Sequence, residues 1–328
     1  MFLRASNFAP NGMHFIGFGT SPMCSMRPSD TKVIMSILPQ TYVYKTTSHC
    51  DIHLDVYHSS SNSDPSPAII WIHGGALIGG SRKRYIREMY LALGFTVVTI
   101  DYRLAPETKL PLIIEDVQDA FKWIREKGRD LFRIDSSRLA VTGHSAGGYL
   151  TLMAGTFFPR PKALVSFYGY GDIIGDWLSK PSSFYCNQPA VLKEDAYRFY
   201  KGQPFADVRK DRGPFYLYCR QQGLWPKEIG GRDPVAEPSF FKPYCPIQNV
   251  SKDYPPTLLL HGDKDTDVPY QQSVMMAKEL MRVGVENKLI TIKEGGHGVE
   301  ENKEDDPPVQ SGWKAVFAFL NKHLLSAT

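Results

Sequence analysis

The chain is poor in cysteine, and its few cysteines are widely spaced. The 328 residues include five cysteines, and no two of them are separated by just two residues. This spacing predicts neither a structural zinc site nor a disulfide framework. Free thiols are typical of proteins kept in a reducing compartment, so we expect a cytoplasmic protein.

Long apolar runs and a strong charge of one sign are also missing. Residues 5–26 carry no charged side chain, but asparagine, proline and glycine interrupt them, so they predict neither a signal peptide nor a membrane span. The net charge is +4, and the densest basic run, residues 82–84, has three members. We therefore expect no nucleic-acid partner and no stable membrane insertion.

From about residue 39 onwards, strand-length apolar runs alternate with helix-length patterns. Residues 39–58 show the alternation of two strands, and residues 67–72 and 95–100 are continuous apolar runs, typical of strands buried on both faces. Residues 112–127 have apolar side chains at helical spacing. This alternation predicts an α/β fold, in which a mostly parallel sheet has helices on both faces and an antiparallel edge formed by the opening hairpin.

The stretch from residue 170 to residue 252 breaks this alternation. Residues 168–244 contain 16 aromatic residues, about one in five, against 12% in the whole chain. We predict a cap insertion that walls an aromatic binding pocket, and an ordinary structural subdomain is the alternative. The main domain then comprises residues 39–169 and 253–328. Residues 1–38 are predicted to be an N-terminal arm, which acts either as a lid or as a contact in a homodimer.

The sequence Gly-His-Ser-Ala-Gly around Ser145 lies between a strand predicted at 138–142 and a helix predicted at 146–157. In that context, G-x-S-x-G is typical of a sharp turn that exposes a nucleophilic serine at the carboxyl end of a central strand. Side chains at Gly143 and Gly147 would collide with the neighbouring backbone. The N-terminus of the helix offers N–H groups to an anionic oxygen. We predict that Ser145 is a nucleophile.

A serine hydroxyl needs a base to become nucleophilic, and the base needs an orienting acid. His297 lies in a glycine-rich loop after the last predicted strand and is the predicted base. A loop after an earlier strand contains Asp263, Asp265 and Asp267. We predict Asp265 as the acid, with Asp267 as the alternative and Asp263 as a turn residue. We expect His261, at the end of that strand, to bond locally.

A second glycine turn follows the first of the buried strands. It reads His73-Gly74-Gly75-Ala76 and lies upstream of the nucleophile, where one wall of an oxyanion hole is expected. The backbone N–H groups of Gly74, Gly75 and Ala76, together with that of Ala146, are the predicted oxyanion hole. We expect His73 to brace this turn rather than to take part in catalysis.

Three motifs resemble those of the α/β-hydrolase superfamily, in particular its hormone-sensitive-lipase and carboxylesterase branch: HGGA at 73–76, DYRLAPE at 101–107 and GHSAGG at 143–148. The segment HGDKDTDVP at 261–269 is similar to the acid loop of the family and has Asp265 at the acid position. The resemblance spans residues 40–325 apart from the cap. It implies the α/β-hydrolase fold and a catalytic triad in the order serine, aspartate, histidine.

Two residues depart from the pattern of that branch. Ala76 stands where the family motif has its third glycine, but a methyl group leaves the backbone N–H in place, so we still expect an oxyanion hole. His144 precedes the nucleophile where lipase-like members often carry aspartate. In this respect the chain is similar to feruloyl-esterase-like and formamidase-like relatives.

The expected function is that of a serine esterase that needs no metal and no cofactor. The expected partner is a small-molecule carboxylic ester, either a medium-sized or aryl ester or a lactone, because the cap is rich in aromatic residues. An arylformamidase or a peptidase would use the same triad, so both stay open as alternatives. A non-catalytic ligand-binding homologue is a third alternative, but such a protein is expected to lack the base.

Overall fold

The computed structural model describes residues 38–58, 65–83, 88–200, 202–207, 212–299 and 305–325. By its internal contacts the chain divides into two units, Met1–Leu38 and Pro39–Thr328, and all described residues except Leu38 belong to the second. The predicted N-terminal arm therefore lies outside the described residues apart from Leu38. No helix in the described ranges is both long enough and apolar enough to cross a membrane.

One eight-stranded sheet forms the centre of the described residues. Its strands are Gln40–Thr46 (β1), Asp51–Tyr57 (β2), Ser66–Ile72 (β3), Thr96–Ile100 (β4), Ile134–His144 (β5), Ala163–Phe167 (β6), Thr257–Gly262 (β7) and Asn287–Ile292 (β8). They lie in the order β1-β2-β4-β3-β5-β6-β7-β8. Strand β2 pairs antiparallel with β1 and β4, and the other neighbouring strands are parallel. The predicted mostly parallel sheet with an antiparallel edge hairpin is confirmed.

Burial explains why the central strands are continuous apolar runs. Every residue of β3, β4, β6 and β7 is buried, as expected for strands that are covered on both faces. Strand β5 is longer than the strand predicted at 138–142. Its pairing with β3 shifts register between Ser66 and Ala68. The β5 residues at this bulge, 135–138, are polar and at least partly exposed, so their pattern does not indicate a strand.

The helices of the main domain are Glu88–Ala92 (α1), Leu110–Phe132 (α2), Ala146–Ala154 (α3), Gln271–Arg282 (α10) and Pro307–Leu324 (α11). Helix α2 extends past the end predicted at residue 127, because Gly128 lies inside the helix and packs beside Ile134 instead of ending it. The helix ends at Arg133, which has a left-handed φ of 59° and an N–H that bonds the carbonyls of Gly128 and Arg129.

Between β6 and β7 the chain leaves the sheet for residues 168–256, which we call the β6–β7 segment. Its short helices are Asp176–Ser179 (α4), Ser183–Cys186 (α5), Lys193–Ala196 (α6), Gly213–Gln222 (α7), Trp225–Gly230 (α8) and Pro238–Phe241 (α9), followed by two 3-10 turns. Its aromatic side chains Phe215, Trp225 and Phe241 are buried in the hydrophobic core. These three side chains therefore belong to the same core that packs around the sheet.

Each charged side chain of the 101–107 motif forms a buried ion pair: Asp101 with Arg82, Arg103 with Asp116, and Glu107 with Arg212. The Glu107–Arg212 pair is bidentate, with N–O distances of 2.8 and 2.6 Å. Arg212 also donates to the carbonyl of Ala105, at 2.6 Å. Because Arg212 belongs to the β6–β7 segment, this pair fastens the segment to the loop that follows β4.

Candidate active site

Ser145 lies on a tight turn between the end of β5 and the start of α3. Its backbone has φ 57° and ψ −122°, an uncommon conformation for a residue with a side chain. A Cβ atom added to Gly147 would lie 2.0 Å from the carbonyl oxygen of Ile72, and one added to Gly143 would lie 2.6 Å from the carbonyl oxygen of Gly147. As predicted, only glycine fits at these two positions beside the serine.

The structure brings the predicted nucleophile, base and acid together from three separate loops. His297, after β8, has Nε2 3.2 Å from Ser145 Oγ. Its Nδ1 lies 2.7 Å from Asp265 Oδ2, on the loop after β7. The carboxyl ends of parallel strands meet at one edge of the sheet, which explains how residues 152 and 32 positions apart in the sequence come into contact.

The side chain of Asp265 is fully buried and accepts hydrogen bonds from several directions. Its Oδ1 accepts the backbone N–H groups of Asp267 and Val268, at 2.8 and 2.9 Å. Burial opposes ionisation, but the hydrogen bonds from His261 and His297 outweigh it and hold the pKa of the Asp265 carboxyl well below its ordinary value. Asp265 is therefore an ionised group that fixes the orientation of the His297 ring.

His261 supports this carboxylate from the end of β7. Its Nδ1 lies 2.8 Å from Ser273 Oγ, and its Nε2 lies 3.0 Å from the carbonyl oxygen of Val268 and 3.3 Å from Asp265 Oδ2. The expectation of local bonding for His261 is correct, but its contact with the acid is missed by sequence reasoning. The spacing of four residues between His261 and Asp265 across a tight loop is the signal that points to it.

Asp267, the alternative acid, lies on the other side of the His297 ring. Its Oδ2 is 3.4 Å from His297 Nε2, the nitrogen that also faces Ser145. The third carboxylate of the loop, Asp263, instead accepts the backbone N–H of Glu294 at 2.7 Å, which ties the loop to the end of β8. The three aspartates therefore occupy three different places around the base.

Three side chains of the β6–β7 segment converge on Asp267 and are missed by sequence reasoning. Tyr185 OH and Arg220 Nη1 donate to Asp267 Oδ1 at 2.9 and 2.8 Å, and Tyr216 OH donates to the same oxygen. The aromatic density of the segment indicates that tyrosines are present there. No spacing in the sequence indicates which of them reach the acid loop.

The glycine turn after β3 lies directly beside the nucleophile. A Cβ atom added to Gly74 would lie 3.3 Å from Ser145 Cβ. Ala76 and Leu77 follow in succession with left-handed φ values of 57° and 62°. Two contacts hold this strained backbone: Trp225 Nε1 donates to the carbonyl of Ala76 at 3.1 Å, and the N–H of Ala105 donates to the carbonyl of Leu77 at 2.8 Å.

The predicted oxyanion hole consists of backbone N–H groups on the glycine turn and at the start of α3. Among the described residues, none of the backbone hydrogen bonds of turns and loops uses the N–H of Gly75, Ala76 or Ala146. His73 braces the turn as expected, with Nδ1 2.8 Å from the carbonyl oxygen of Gly74 and its ring stacked 4.2 Å from that of Tyr102. The side chains predicted to be nucleophile, base and acid thus lie close together and beside the glycine turn, an arrangement that suits addition to a carbonyl group.

Comparison with known proteins adds two family models and several relatives. The model named BD-FAE matches residues 54–173, and the model of the prolyl oligopeptidase family matches residues 216–326. The chain is 28% identical over 252 residues to the esterase LipC of Mycobacterium tuberculosis, covering 75% of this chain and 57% of LipC. It is 28% identical over 320 residues to the non-reducing polyketide synthase Preu6 of Preussia isomera, covering 84% of this chain.

The lengths of these relatives limit what the similarity conveys. The chain spans 14% of the length of the polyketide synthase Preu6. Among solved structures, an alpha/beta hydrolase superfamily protein from Enterococcus faecalis superimposes with a TM-score of 0.65 at 21% identity, covering 87% of this chain and 99% of that protein. At this level of identity, the likeness concerns the fold.

Proposed function

We propose that this chain, a member of the α/β-hydrolase superfamily with the α/β-hydrolase fold, is a serine hydrolase that cleaves carboxylic esters through an acyl-enzyme on Ser145. The observation that carries the proposal is the unbroken line of contacts from Asp265 through His297 to Ser145, with distances of 2.7 and 3.2 Å. The similarity to an esterase from Mycobacterium tuberculosis supports it.

In the first half of the reaction, Ser145 Oγ attacks the carbonyl carbon of the ester and transfers its proton to His297 Nε2. Asp265 keeps the proton of the neutral imidazole on Nδ1 and stabilises the cation that forms when Nε2 gains a second proton. The depressed pKa of Asp265, which the hydrogen bonds from His261 and His297 maintain against burial, suits this role. The carboxylate stays ionised while the imidazole changes its charge.

The negative oxygen of the tetrahedral intermediate is stabilised by backbone N–H groups of the glycine turn, at Gly75 and Ala76, and by that of Ala146. Loss of one such donor raises the barrier by about 3–4 kcal/mol in serine hydrolases. The N–H of Gly74 is a further proposed donor, and a Cβ atom added to Gly74 would lie 3.3 Å from Ser145 Cβ, so glycine lets the turn pack closely against the serine.

The intermediate collapses when His297 Nε2 gives its proton to the leaving alcohol oxygen and the bond from the carbonyl carbon to that oxygen breaks. A water molecule then takes the place of the alcohol and gives a proton to His297 as it attacks the acyl carbon. The second tetrahedral intermediate then breaks its bond to Ser145 Oγ and releases the acid, and His297 Nε2 returns its proton to that oxygen.

We further propose that the β6–β7 segment is the cap that selects the substrate, with medium-sized or aryl esters and lactones as its substrates. Its contacts with the glycine turn and with the acid loop, through Trp225 and through Tyr185, support this role. Amide hydrolysis is the second candidate function. The match of residues 216–326 to the prolyl oligopeptidase family model favours it, since the same triad serves both reactions.

A panel of substrates tests the proposal, with Ser145→Ala as the blank. The panel contains p-nitrophenyl acetate, butyrate and decanoate, an aryl lactone and N-formylkynurenine. We expect serine-dependent cleavage of at least one ester, and the dependence on chain length gives the size of the acyl pocket. Cleavage of N-formylkynurenine alone would move the assignment to an arylformamidase. Equal activity in Ser145→Ala would contradict the mechanism.

A further inference from the structure

A second carboxylate faces the nitrogen of His297 that exchanges protons during the reaction. Asp267 Oδ2 lies 3.4 Å from His297 Nε2, and Ser145 Oγ lies 3.2 Å from the same nitrogen. In the proposed reaction this nitrogen must come within hydrogen-bonding distance of the leaving alcohol oxygen. The substrate atoms next to that oxygen therefore lie close to Asp267 Oδ2.

The two oxygens of Asp267 have different surroundings. Oδ1 accepts hydrogen bonds from Tyr185 OH at 2.9 Å, from Arg220 Nη1 at 2.8 Å and from Tyr216 OH. In the described part of the chain no donor is hydrogen-bonded to Oδ2, and 20% of the Asp267 side chain is exposed, against 3% for Arg220. One oxygen is thus anchored in the protein, while the other faces the reacting groups.

Three donors hold the carboxylate of Asp267 in place through Oδ1. Burial and the charge of Asp267 raise the pKa of Tyr185 and of Tyr216 well above the ordinary value, so both hydroxyls keep their protons and donate them to Oδ1. Arg220 is buried and forms an ion pair with the same carboxylate. A carboxylate in this state can accept a hydrogen bond from a substrate but cannot donate one.

The position of Asp267 does not suit the role of the triad acid, because Asp265 already holds His297 Nδ1. A purely structural role, in which Asp267 only ties the β6–β7 segment to the acid loop, is served by Oδ1 alone. That role does not involve Oδ2, which lies 3.4 Å from His297 Nε2. A donor on the substrate would complete the hydrogen bonding of this oxygen.

We propose that Asp267 is a specificity-determining residue whose Oδ2 accepts a hydrogen bond from a donor on the leaving alcohol. The favoured substrates are then esters of alcohols that carry a hydroxyl or N–H group close to the ester oxygen. This inference rests on the proposed esterase function and specifies the substrate class of that same site.

Two matched acetates test the inference in the wild-type protein. 2-Hydroxyethyl acetate carries a donor two carbons from the ester oxygen, whereas 2-methoxyethyl acetate offers only an acceptor there. Both esters form the same acetyl-enzyme, so kcat/KM reports the step in which the alcohol is still bound. We expect kcat/KM to be about 10-fold or more higher for the hydroxyl ester. Asp267 Oδ2 accepts a hydrogen bond from the hydroxyl group but repels the lone pairs of the methoxy oxygen.

A second pair of esters controls for general polarity without any change in the protein. In 4-hydroxybutyl acetate and 4-methoxybutyl acetate, the same two groups lie beyond the reach of an oxygen 3.4 Å from His297 Nε2. We expect similar kcat/KM values for this pair. An equal preference for the hydroxyl group in both pairs would overturn the inference, because the preference would not depend on the distance from Asp267.

The Asp267→Asn variant tests the residue itself. Its amide oxygen should turn towards the three donors of Tyr185, Tyr216 and Arg220, which leaves an NH₂ group facing the substrate. That group donates equally well to a hydroxyl and to a methoxy oxygen, so the preference in the shorter pair should fall to about one. The matched control is Asp263→Asn on the same loop, which faces Glu294 rather than His297 and should keep the wild-type preference.

The outcomes separate this inference from the proposed function. Serine-dependent cleavage of both short esters at equal kcat/KM would overturn the role of Asp267 and leave the esterase assignment standing. Cleavage of p-nitrophenyl acetate without cleavage of any alkyl acetate would overturn it too, because the site would then not accept such alcohols. Absence of serine-dependent cleavage of every ester would instead contradict the proposed function. The wild-type ratios decide the matter even where Asp267→Asn does not fold.

Discussion

The sheet and the β6–β7 segment both contribute to the candidate site, but through different parts of the chain. The sheet provides Ser145, His297 and Asp265 at the ends of β5, β8 and β7, and backbone pairing between parallel strands fixes their separation. Among the described residues, the segment contacts the site through side chains, with Trp225 bonded to Ala76 and with Tyr185, Tyr216 and Arg220 bonded to Asp267.

This difference teaches which region controls which property. A site fixed by strand ends tolerates little change in geometry, so the sheet determines whether the reaction occurs. The segment contributes side chains of short helices, which change with each substitution, so we propose that it determines which substrates react. Substitutions in the loops of the sheet and substitutions in the segment should therefore change different properties of the protein.

The largest expected effect comes from substitution of Asp265, the proposed triad acid. Asp265→Asn should lower kcat for p-nitrophenyl acetate by about 10⁴-fold, because the amide no longer holds the proton of His297 on Nδ1. Asp267→Asn should lower kcat for the same ester by less than about 10-fold, because it does not contact Nδ1. Steady-state kinetics of both purified variants gives the comparison.

The same pair of variants can also contradict the assignment. A larger loss in Asp267→Asn than in Asp265→Asn would make Asp267 the acid. Far-ultraviolet circular dichroism of both proteins is the control, since each aspartate also bonds neighbouring groups.

A smaller effect, on stability, is expected where the segment joins the main domain. Arg212→Leu leaves the carboxylate of Glu107 buried without its bidentate partner and should lower the free energy of unfolding by about 3–5 kcal/mol. The control is Lys180→Leu in the same segment, because its ion pair with Asp176 is exposed and should contribute less than about 1 kcal/mol. Urea denaturation measures both. Equal losses in the two variants would contradict the fastening role of Arg212.

The free energy of unfolding should also depend on pH, through Asp101 in the main domain. Asp55 and Asp101 share the single guanidinium of Arg82, and burial raises the pKa of Asp101 to about 6 against the effect of Arg82. A carboxyl whose pKa is higher in the folded protein than the value of about 3.9 in the unfolded chain stabilises the fold fully below that value. The contribution is lost as the pH rises through about 6.

We therefore expect the wild-type protein to lose roughly 2–3 kcal/mol of unfolding free energy relative to Asp101→Asn between about pH 4 and pH 7. Denaturant titration of both proteins across this range measures the difference. A difference that stays constant with pH would show that Asp101 has the same pKa in both states.

The smallest expected effect tests whether the segment also supports the chemistry. Trp225→Phe removes the hydrogen bond from Nε1 to the carbonyl of Ala76 and should lower kcat by about 10-fold with little change in KM, because the strained glycine turn loses one of its two supports. Trp177→Phe is the control, since its Nε1 bonds Asp172 within the segment. A change confined to KM would limit Trp225 to substrate binding.

The two regions also differ in how far the sequence predicts them. The apolar runs of β3, β4, β6 and β7 follow from burial on both faces, and Ser145 and His297 each stand in a turn whose glycines are visible in the sequence. The acid is harder to predict, because Asp265 and Asp267 lie on the same loop at similar distances along the sequence from the end of β7. Only the direction of each side chain separates the one on Nδ1 from the one beside Nε2.

In the β6–β7 segment, long-range side-chain contacts replace periodic patterns. Arg220 reaches Asp267 across 47 positions and Trp225 reaches Ala76 across 149, and neither pair has a spacing that predicts it. The helices of the segment have four to ten residues, too few for an amphipathic pattern to stand out. The main domain is therefore predictable from local patterns, and the side-chain contacts of the segment are not.

The most direct test of the account is to label the protein with a fluorophosphonate and to identify the modified peptide by mass spectrometry. The account predicts one adduct, on Ser145, in the wild-type protein, and a much slower reaction in His297→Gln, because the serine then lacks its base. Absence of an adduct, or an adduct on another residue, would contradict the assignment of Ser145 as the nucleophile. An equal rate in His297→Gln would contradict the role of His297 as the base.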